Sequence, residues 1–280
     1  MAEKSQTYPR LKAPAGLCDT HIHIYDRRFP TAPTATMTPP DAGVGAYKEM
    51  CRRLGIARSI IVQPTTYGLD NRCTLDAIAA LGEIARGIAV VDAGVSDEEM
   101  ERLTKGGIRG VRFHQLPGGA LKWEQLDAIA ARVQSFGWHI QLQLDGRDLP
   151  QYEAAIRRFP GTLVIDHTGK FLEPVPVEHA AFKILLALVD RGNTYVKLSA
   201  PYETSKAGAP HFDDVGAMAK ALIRAAPERM LWASNWPHPS AAADSKPDDA
   251  MLLDVMLEWA PDEATRTKIF VDNPARLYGF

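Results

Sequence analysis

The sequence has no apolar run of about 18 residues, the length a helix needs to cross a bilayer, so a helical membrane span is not expected. Cysteine is scarce. Cys18, Cys51 and Cys73 are odd in number and show no Cys-x-x-Cys spacing, which argues against a disulfide framework or a zinc knuckle. There is no excess of either charge: the net charge is −2, and no basic stripe interleaves with aromatics. Nucleic acid and anionic membrane are therefore not expected partners. No G-x-G-x-x-G follows the first apolar run, which weakens a dinucleotide-binding sheet. Residues 1–14 are polar and lack the apolar stretch of a secretory leader, so a flexible N-terminal segment and a cytoplasmic location are expected.

What is present is an ordinary globular composition, 46% apolar and 24% charged over 280 residues. Short β-rich runs are predicted at 17–25, 59–64, 87–93, 110–114, 139–144, 163–168, 194–199 and 230–236. Helical patterns fill the gaps at 47–54, 75–84, 97–105, 123–136, 148–158, 179–190, 213–226 and 249–259. Ser96 and Asp213 read as N-caps, and Gly87, Gly110 and Gly137 as turn glycines before strands. Eight strands alternating with helices predict an α/β fold, a (β/α)8 TIM-type barrel forming a single domain over 1–280. An open doubly wound sheet is the competing architecture. The Pro/Thr-rich loop 31–40 and the loop 200–211 would then lie at the carboxyl mouth, where such barrels build their sites.

The richest stretch is Leu17-Cys18-Asp19-Thr20-His21-Ile22-His23. Strand alternation predicts that residues 19, 21 and 23 share a face, presenting two imidazoles together. Such a pair is a metal half-site or an acid/base pair. Other strand ends contribute Gln63, followed by Tyr67 and Asp70-Asn71-Arg72; Arg112 and His114; Gln141 and Gln143; Asp166-His167; Lys197 and Ser199; and Ser234-Asn235-Trp236-Pro237-His238, with Tyr202 just beyond strand seven. Singly, each has a plain structural reading. Arg112 or Lys197 fits an internal ion pair, and His167 a satisfied core histidine. His139 opens its strand and belongs to the opposite end. So many polar groups converging on one mouth point instead to a site.

Taken together, Cys18–His23, Asp166-His167, Trp232–His238 and the terminal Asp272–Phe280 resemble the amidohydrolase superfamily. Val62-Gln63-Pro64 with Asp70–Arg72, and Gly110–Phe113, resemble its metal-independent branch of pyrone-dicarboxylate hydrolases. Asp145–Pro150, Asp166–Lys170 and Ser199–Thr204 resemble the lactone isomerases of sugar diacids within it. Metal-dependent members would place a histidine at the end of strand five and an aspartate at the end of strand eight. This chain has Gln143 and Asn235 there. A neutral amide neither compensates a divalent cation nor takes a proton from water, so no metal and no cofactor are expected. The resemblance implies rearrangement of a D-galactaro-1,5-lactone to the 1,4-lactone, a small molecule with a free carboxylate, with a lactone hydrolase and a non-catalytic sugar-acid binder as alternatives. His21, His23, His167 and Asn235 would be catalytic. Arg112, Arg72 and Lys197 are candidates for the carboxylate, with Gln63, Gln143, Tyr67, Asn71, His114, Tyr202 and His238 as further substrate contacts.

Overall fold

The computed structural model describes residues 7–242 and 244–280. Eight parallel strands follow one another in sheet order: β1 (Cys18–Ile22), β2 (Arg58–Val62), β3 (Ala85–Ala89), β4 (Ile108–His114), β5 (His139–Gln143), β6 (Leu163–Ile165), β7 (Thr194–Leu198) and β8 (Met230–Trp232). Helices α1 (Val44–Leu54), α2 (Arg72–Leu81), α3 (Asp97–Lys105), α4 (Leu126–Ser135), α5 (Leu149–Arg157), α6 (Ala180–Asp190), α7 (Asp213–Ala225) and α8 (Asp249–Asp254) follow the successive strands. This is the (β/α)8 barrel, and no described helix is long and apolar enough to cross a membrane.

Period-two alternation explains the two cores. Ile60, Val62, Ile88, Val164, Tyr195 and Leu231 face the axis, where Tyr278 of the C-terminal helix plugs the amino end. Ile61, Val111, Phe113, Ile140, Leu142, Val196 and Trp232 face outward into the helical layer. His139 packs its ring against Tyr278, 5.4 Å between centroids, at the end away from the mouth.

The seam between β1 and β8 closes through a few bonds at the mouth. Asn235 N–H donates to the His21 carbonyl at 3.0 Å, and His23 N–H to the Trp236 carbonyl at 2.8 Å. A bulge between Asp19 and Ile22 changes the side-chain alternation on β1. As a result Asp19 does not share a face with His21 and His23. Its carboxylate meets the Tyr47 hydroxyl of α1 at 3.4 Å and accepts from Ser234 N–H at 3.0 Å and from the Ser234 hydroxyl.

Other local differences have equally simple causes. Gly137 takes the turn conformation, φ 71°, but Gly87 and Gly110 lie inside β3 and β4. A Cβ on Gly87 would come within 2.6 Å of the Ile78 side chain, and one on Gly110 within 2.8 Å of the His139 carbonyl, so close packing requires these glycines. Ser96 caps α3 by accepting from Glu99 N–H at 3.2 Å, whereas α7 starts from Phe212 in the left-handed region, with Asp213 already helical. Of the segment 1–14, residues 1–6 lie outside the described residues. Leu11 is buried and its N–H donates to Asp254 at 2.8 Å, so this part of the segment is tied down rather than free.

Asp19→Ala is expected to lower the unfolding free energy by about 2–4 kcal/mol in urea titrations, because it strands buried Ser234 donors at the seam. Asp19→Asn, which keeps an acceptor for Ser234 N–H, should cost clearly less. Equal stability of Asp19→Ala and the parent would show that the seam does not rest on this carboxylate.

Candidate active site

The strands end earlier than their apolar runs suggest, and this creates the mouth. β6 stops at Ile165 and β8 at Trp232, so 166–170 and 233–238 are turns rather than strand. Several side chains there stand on left-handed backbone: His167 at φ 52°, Thr168 at 55°, Lys170 at 48°, Asn235 at 61° and His238 at 60°. For a β-branched residue such as Thr168 this conformation is costly, and clusters of this kind collect where side chains must be aimed at a ligand.

Beneath the mouth, Lys197 is fully buried among three polar partners. Its Nζ lies 2.6 Å from Gln141 Oε1, 3.5 Å from Asp166 Oδ1 and 3.4 Å from His21 Nδ1. Gln141 Nε2 in turn donates to Asp166 Oδ2 at 3.0 Å. Burial alone would raise the Asp166 carboxyl, but the charges of Lys197 and Arg112 and the Gln141 hydrogen bond reverse this and hold it below the ordinary range. Burial pulls Lys197 down to about 8, with Asp166 opposing. The pair is therefore charged at neutral pH.

A backbone carbonyl assigns the tautomer of His23. His21 Nδ1 sits between Lys197 Nζ at 3.4 Å and Asp166 Oδ1 at 3.3 Å, and its Nε2 faces His23 Nε2 at 3.3 Å. His23 Nδ1–H donates to the Val62 carbonyl at 2.8 Å. Burial, with Lys197 beside it, holds His21 well below its ordinary pKa. Burial and then Arg112 bring His23 down to about 3. His167, bonded through Nδ1 to the Ser199 hydroxyl at 2.8 Å, is likewise depressed by burial. All three rings are neutral.

Above them lies a cavity of about 460 Å³, within the range of small-molecule sites. His23, Arg112, His114, Gln143, His167 and Asn235 line it, as the sequence led one to expect. Arg112 donates to the Gln63 carbonyl at 3.1 Å and to Gln143 Oε1 at 2.9 Å. Three lining side chains carry a buried polar atom with no protein partner: Arg112 Nε, His114 Nδ1 and Asn235 Oδ1. Buried polar groups are rarely left so, and a polar ligand would satisfy them. The lining also includes Lys170 and Glu203, a buried ion pair, with Ser240, Thr65, and Thr36 and Met37 from the loop 31–40. The loop 31–40 was expected at this mouth and Lys170 at the end of strand six, whereas Glu203, Ser240 and Thr65 were not singled out from sequence. Only the left-handed turn and the loop crossing bring them in.

Several expected contacts stand elsewhere. Gln63, one residue past the axis-facing Val62, turns outward, accepting from Thr74 at 2.6 Å and donating to the Asp70 carbonyl at 2.8 Å. Asn71 ties the turn to Val90, and the Tyr67 hydroxyl bonds the Asp26 backbone. Arg72 is exposed at the start of α2 and paired with Asp70. Lys197 has no exposed surface and cannot touch a ligand in the cavity. His21 sits behind His23. Tyr202 and His238 stand behind Asn235, the Tyr202 hydroxyl 2.9 Å from Asn235 Nδ2 and 3.0 Å from His238 Nδ1.

These donors do not fit a divalent metal. His21, Asp166 and His167 bring ligand atoms within 4.8 Å of one another, but the Lys197 ammonium is already bonded among them. The facing Nε2 atoms of His21 and His23 have no carboxylate beside them: Gln143 is committed to Arg112, and Asn235 is an amide.

Fold and site together define an acid–base enzyme built at the mouth of a (β/α)8 barrel. The amidohydrolase family matches residues 18–280, and the chain belongs to it. It is 36% identical over 277 residues to the D-galactarolactone isomerase of Agrobacterium fabrum, covering 98% of this chain and 94% of the relative. It is 35% identical over 283 residues to the 2-pyrone-4,6-dicarboxylate hydrolase of Comamonas testosteroni, covering 96% and 92%. An apo crystal structure of an Agrobacterium tumefaciens protein superposes with a TM-score of 0.94 at 36% identity, covering 99% of this chain and 98% of that one.

The buried neutral histidines set a pH dependence. His23, His114 and His139 sit at about 3 against an ordinary 6.5, with burial the main cause in each. Depressed values mean stability that is complete above pH 6.5 and lost as pH falls toward 3. Asp19, raised by burial to about 6, works the other way between 3.8 and 6, but it is one group against three. Urea midpoints should therefore fall on acidification below pH 6.5. His139→Gln should flatten the dependence by about 1.4 kcal/mol per pH unit. An unchanged slope in that variant would mean that His139 is not held neutral.

Proposed function

We propose that this protein is a metal-independent lactone isomerase that converts D-galactaro-1,5-lactone to the 1,4-lactone. The observation that carries the reading is Asn235 at the place where a hydrolase of this family would need a base. An amide there holds a hydroxyl but does not deprotonate water. The attacking group is then the substrate's own C4 hydroxyl. The C1–O4 bond forms, the C1–O5 bond breaks, and the proton leaving O4 ends on O5. His23 and His167, two neutral imidazoles on the cavity wall, are placed to take the first proton and supply the second. His21 and Lys197 hold His23 from behind rather than touching substrate.

The free carboxylate of the lactone has a partner in Arg112. Lys170 is already paired with Glu203, so among the charged side chains lining the cavity Arg112 is the cation in surplus. The Asp166 carboxylate stands 4.0 Å from Arg112 Nε and is already held by Lys197 and Gln141. The buried, unpartnered Nε–H of Arg112 suits a charged hydrogen bond. A hydrolase is the second reading, supported by the 35% identical pyrone-dicarboxylate hydrolase. Its product is an open-chain acid.

Following D-galactaro-1,5-lactone by NMR in ¹⁸O-labelled water, with and without a chelator, tests the proposal. The expected result is 1,4-lactone free of label, formed at the same rate with chelator present. Labelled lactone, or open-chain acid as the first product, would mean that water attacks; loss of activity on chelation, restored by metal, would overturn metal independence. Arg112→Ala should lose about 2–4 kcal/mol of transition-state stabilisation in kcat/KM for the diacid lactone, and much less for a lactone without the second carboxylate. Equal losses on both substrates would remove Arg112 from carboxylate binding.

A further inference from the structure

Two carboxylates outside the set of expected catalytic groups determine which end of the Asn235 side chain the cavity meets. Glu203 is buried between three donors. It pairs with the Lys170 ammonium, accepts the Ser240 hydroxyl, and has Oε1 at 3.2 Å from Asn235 Nδ2. A carboxylate held by an ammonium only accepts, so the end of the amide facing it must be the NH2. The second carboxylate reaches the same atom by another route. Asp249 Oδ1 lies 2.9 Å from His238 Nε2, which places the proton there. In the Nε2–H tautomer Nδ1 is an acceptor and takes the Tyr202 O–H at 3.0 Å. The Tyr202 oxygen, its own proton so directed, accepts from Asn235 Nδ2 at 2.9 Å. Both N–H bonds of the amide are consumed inside the protein. Oδ1 is left buried, without a partner, on a residue that lines the cavity.

We propose that Glu203 is a positioning residue that turns Asn235 into a hydrogen-bond acceptor toward the ligand and disfavours a carboxylate at that position. The orientation stands on hydrogen-bond geometry alone; its use, to hold the attacking hydroxyl of the lactone, rests on the isomerase reading above. The disfavour is electrostatic. Asp at 235 would bring a second carboxylate against Glu203 at the spacing now filled by an N–H bond, and two such groups do not both ionise without large cost. The other polar and charged groups around that position are Tyr202, Ser240, His238 with Asp249 behind it, Lys170, Arg112, and the neutral rings of His23 and His167. The conversion of such a site from isomerase to hydrolase therefore takes two changes. The double variant Asn235→Asp with Glu203→Gln moves the carboxylate by one residue, keeps the charge total, and leaves Lys170 a counter-ion.

The test has a structural arm and a kinetic arm. In the free enzyme, the Asn235 side-chain amide, identified in ¹⁵N spectra by its loss in Asn235→Asp, is expected to exchange slowly at both protons. In Glu203→Gln one proton should exchange about tenfold faster or more, as the amide loses the acceptor that held it. If that variant folds poorly because Lys170 is left unpaired, Glu203→Gln with Lys170→Met gives the same reading. Unchanged exchange would overturn the positioning role. In turnover, Glu203→Gln should lower kcat by about tenfold or more with a smaller change in KM, Glu203→Asp recovering part of the loss. Asn235→Asp alone should yield less open-chain acid than the double variant. Altered exchange with kcat and product ratio untouched would leave the orientation standing and overturn its use on an attacking hydroxyl. Open-chain acid as the product of the unaltered enzyme would instead overturn the isomerase reading.

Discussion

The ammonium of Lys197, buried on the barrel axis, is the constraint on which the rest of the site depends. A lone charge there would be unsupportable, since desolvation of an ion costs several kcal/mol even after relaxation, of the order of the whole stability of a domain. It persists because the Asp166 carboxylate and the Gln141 carbonyl accept from it, with His21 packed beside them. Each of those contacts fixes something else. Asp166 is drawn to the top of the short strand β6, where the chain turns left-handed and delivers His167 and Lys170 to the mouth. His21 is held at Nδ1 between Lys197 and Asp166, with its Nε2 facing His23.

Burial keeps the histidines neutral, and on His21 the cations Lys197, Arg112 and Lys170 add to it. Neutral imidazoles suit a reaction in which a proton leaves one oxygen and returns to its neighbour, because each ring can accept as well as donate.

How much of this was legible in the sequence follows from geometry. Element types and the barrel could be read because eight apolar runs alternate with helical patterns, and periodicity reports burial directly. Cavity residues on undisturbed strands were legible too: Arg112 and His114 on β4, and Gln143 on β5, obey simple alternation. Alternation failed where the backbone departs from it. A bulge turned Asp19 outward. Gln63 by contrast obeys alternation: one residue past the axis-facing Val62, it lies against α2. The pairing of Lys170 with Glu203 was invisible for a different reason. They are 33 residues apart and meet only because both sit on turns, and no local pattern encodes such a contact. Arg72 shows the converse error: its neighbour in sequence, Asp70, already satisfies it.

Kinetic preference between a tethered hydroxyl and water does not require the site to exclude water altogether. Well-oriented intramolecular groups react as though present at about 10⁵–10⁸ M, against about 55 M for bulk water. Without base catalysis on either nucleophile, the tethered one therefore has the advantage by several orders of magnitude. A carboxylate at position 235 would narrow that margin selectively. It would aid any water held beside it, while the internal hydroxyl, already positioned and served by an imidazole, would gain little. The amide removes that aid, and Glu203 keeps its oxygen turned to the ligand. Selectivity for rearrangement then comes from withholding assistance to one nucleophile rather than from adding it to the other, which is why a neutral residue at this position is compatible with catalysis.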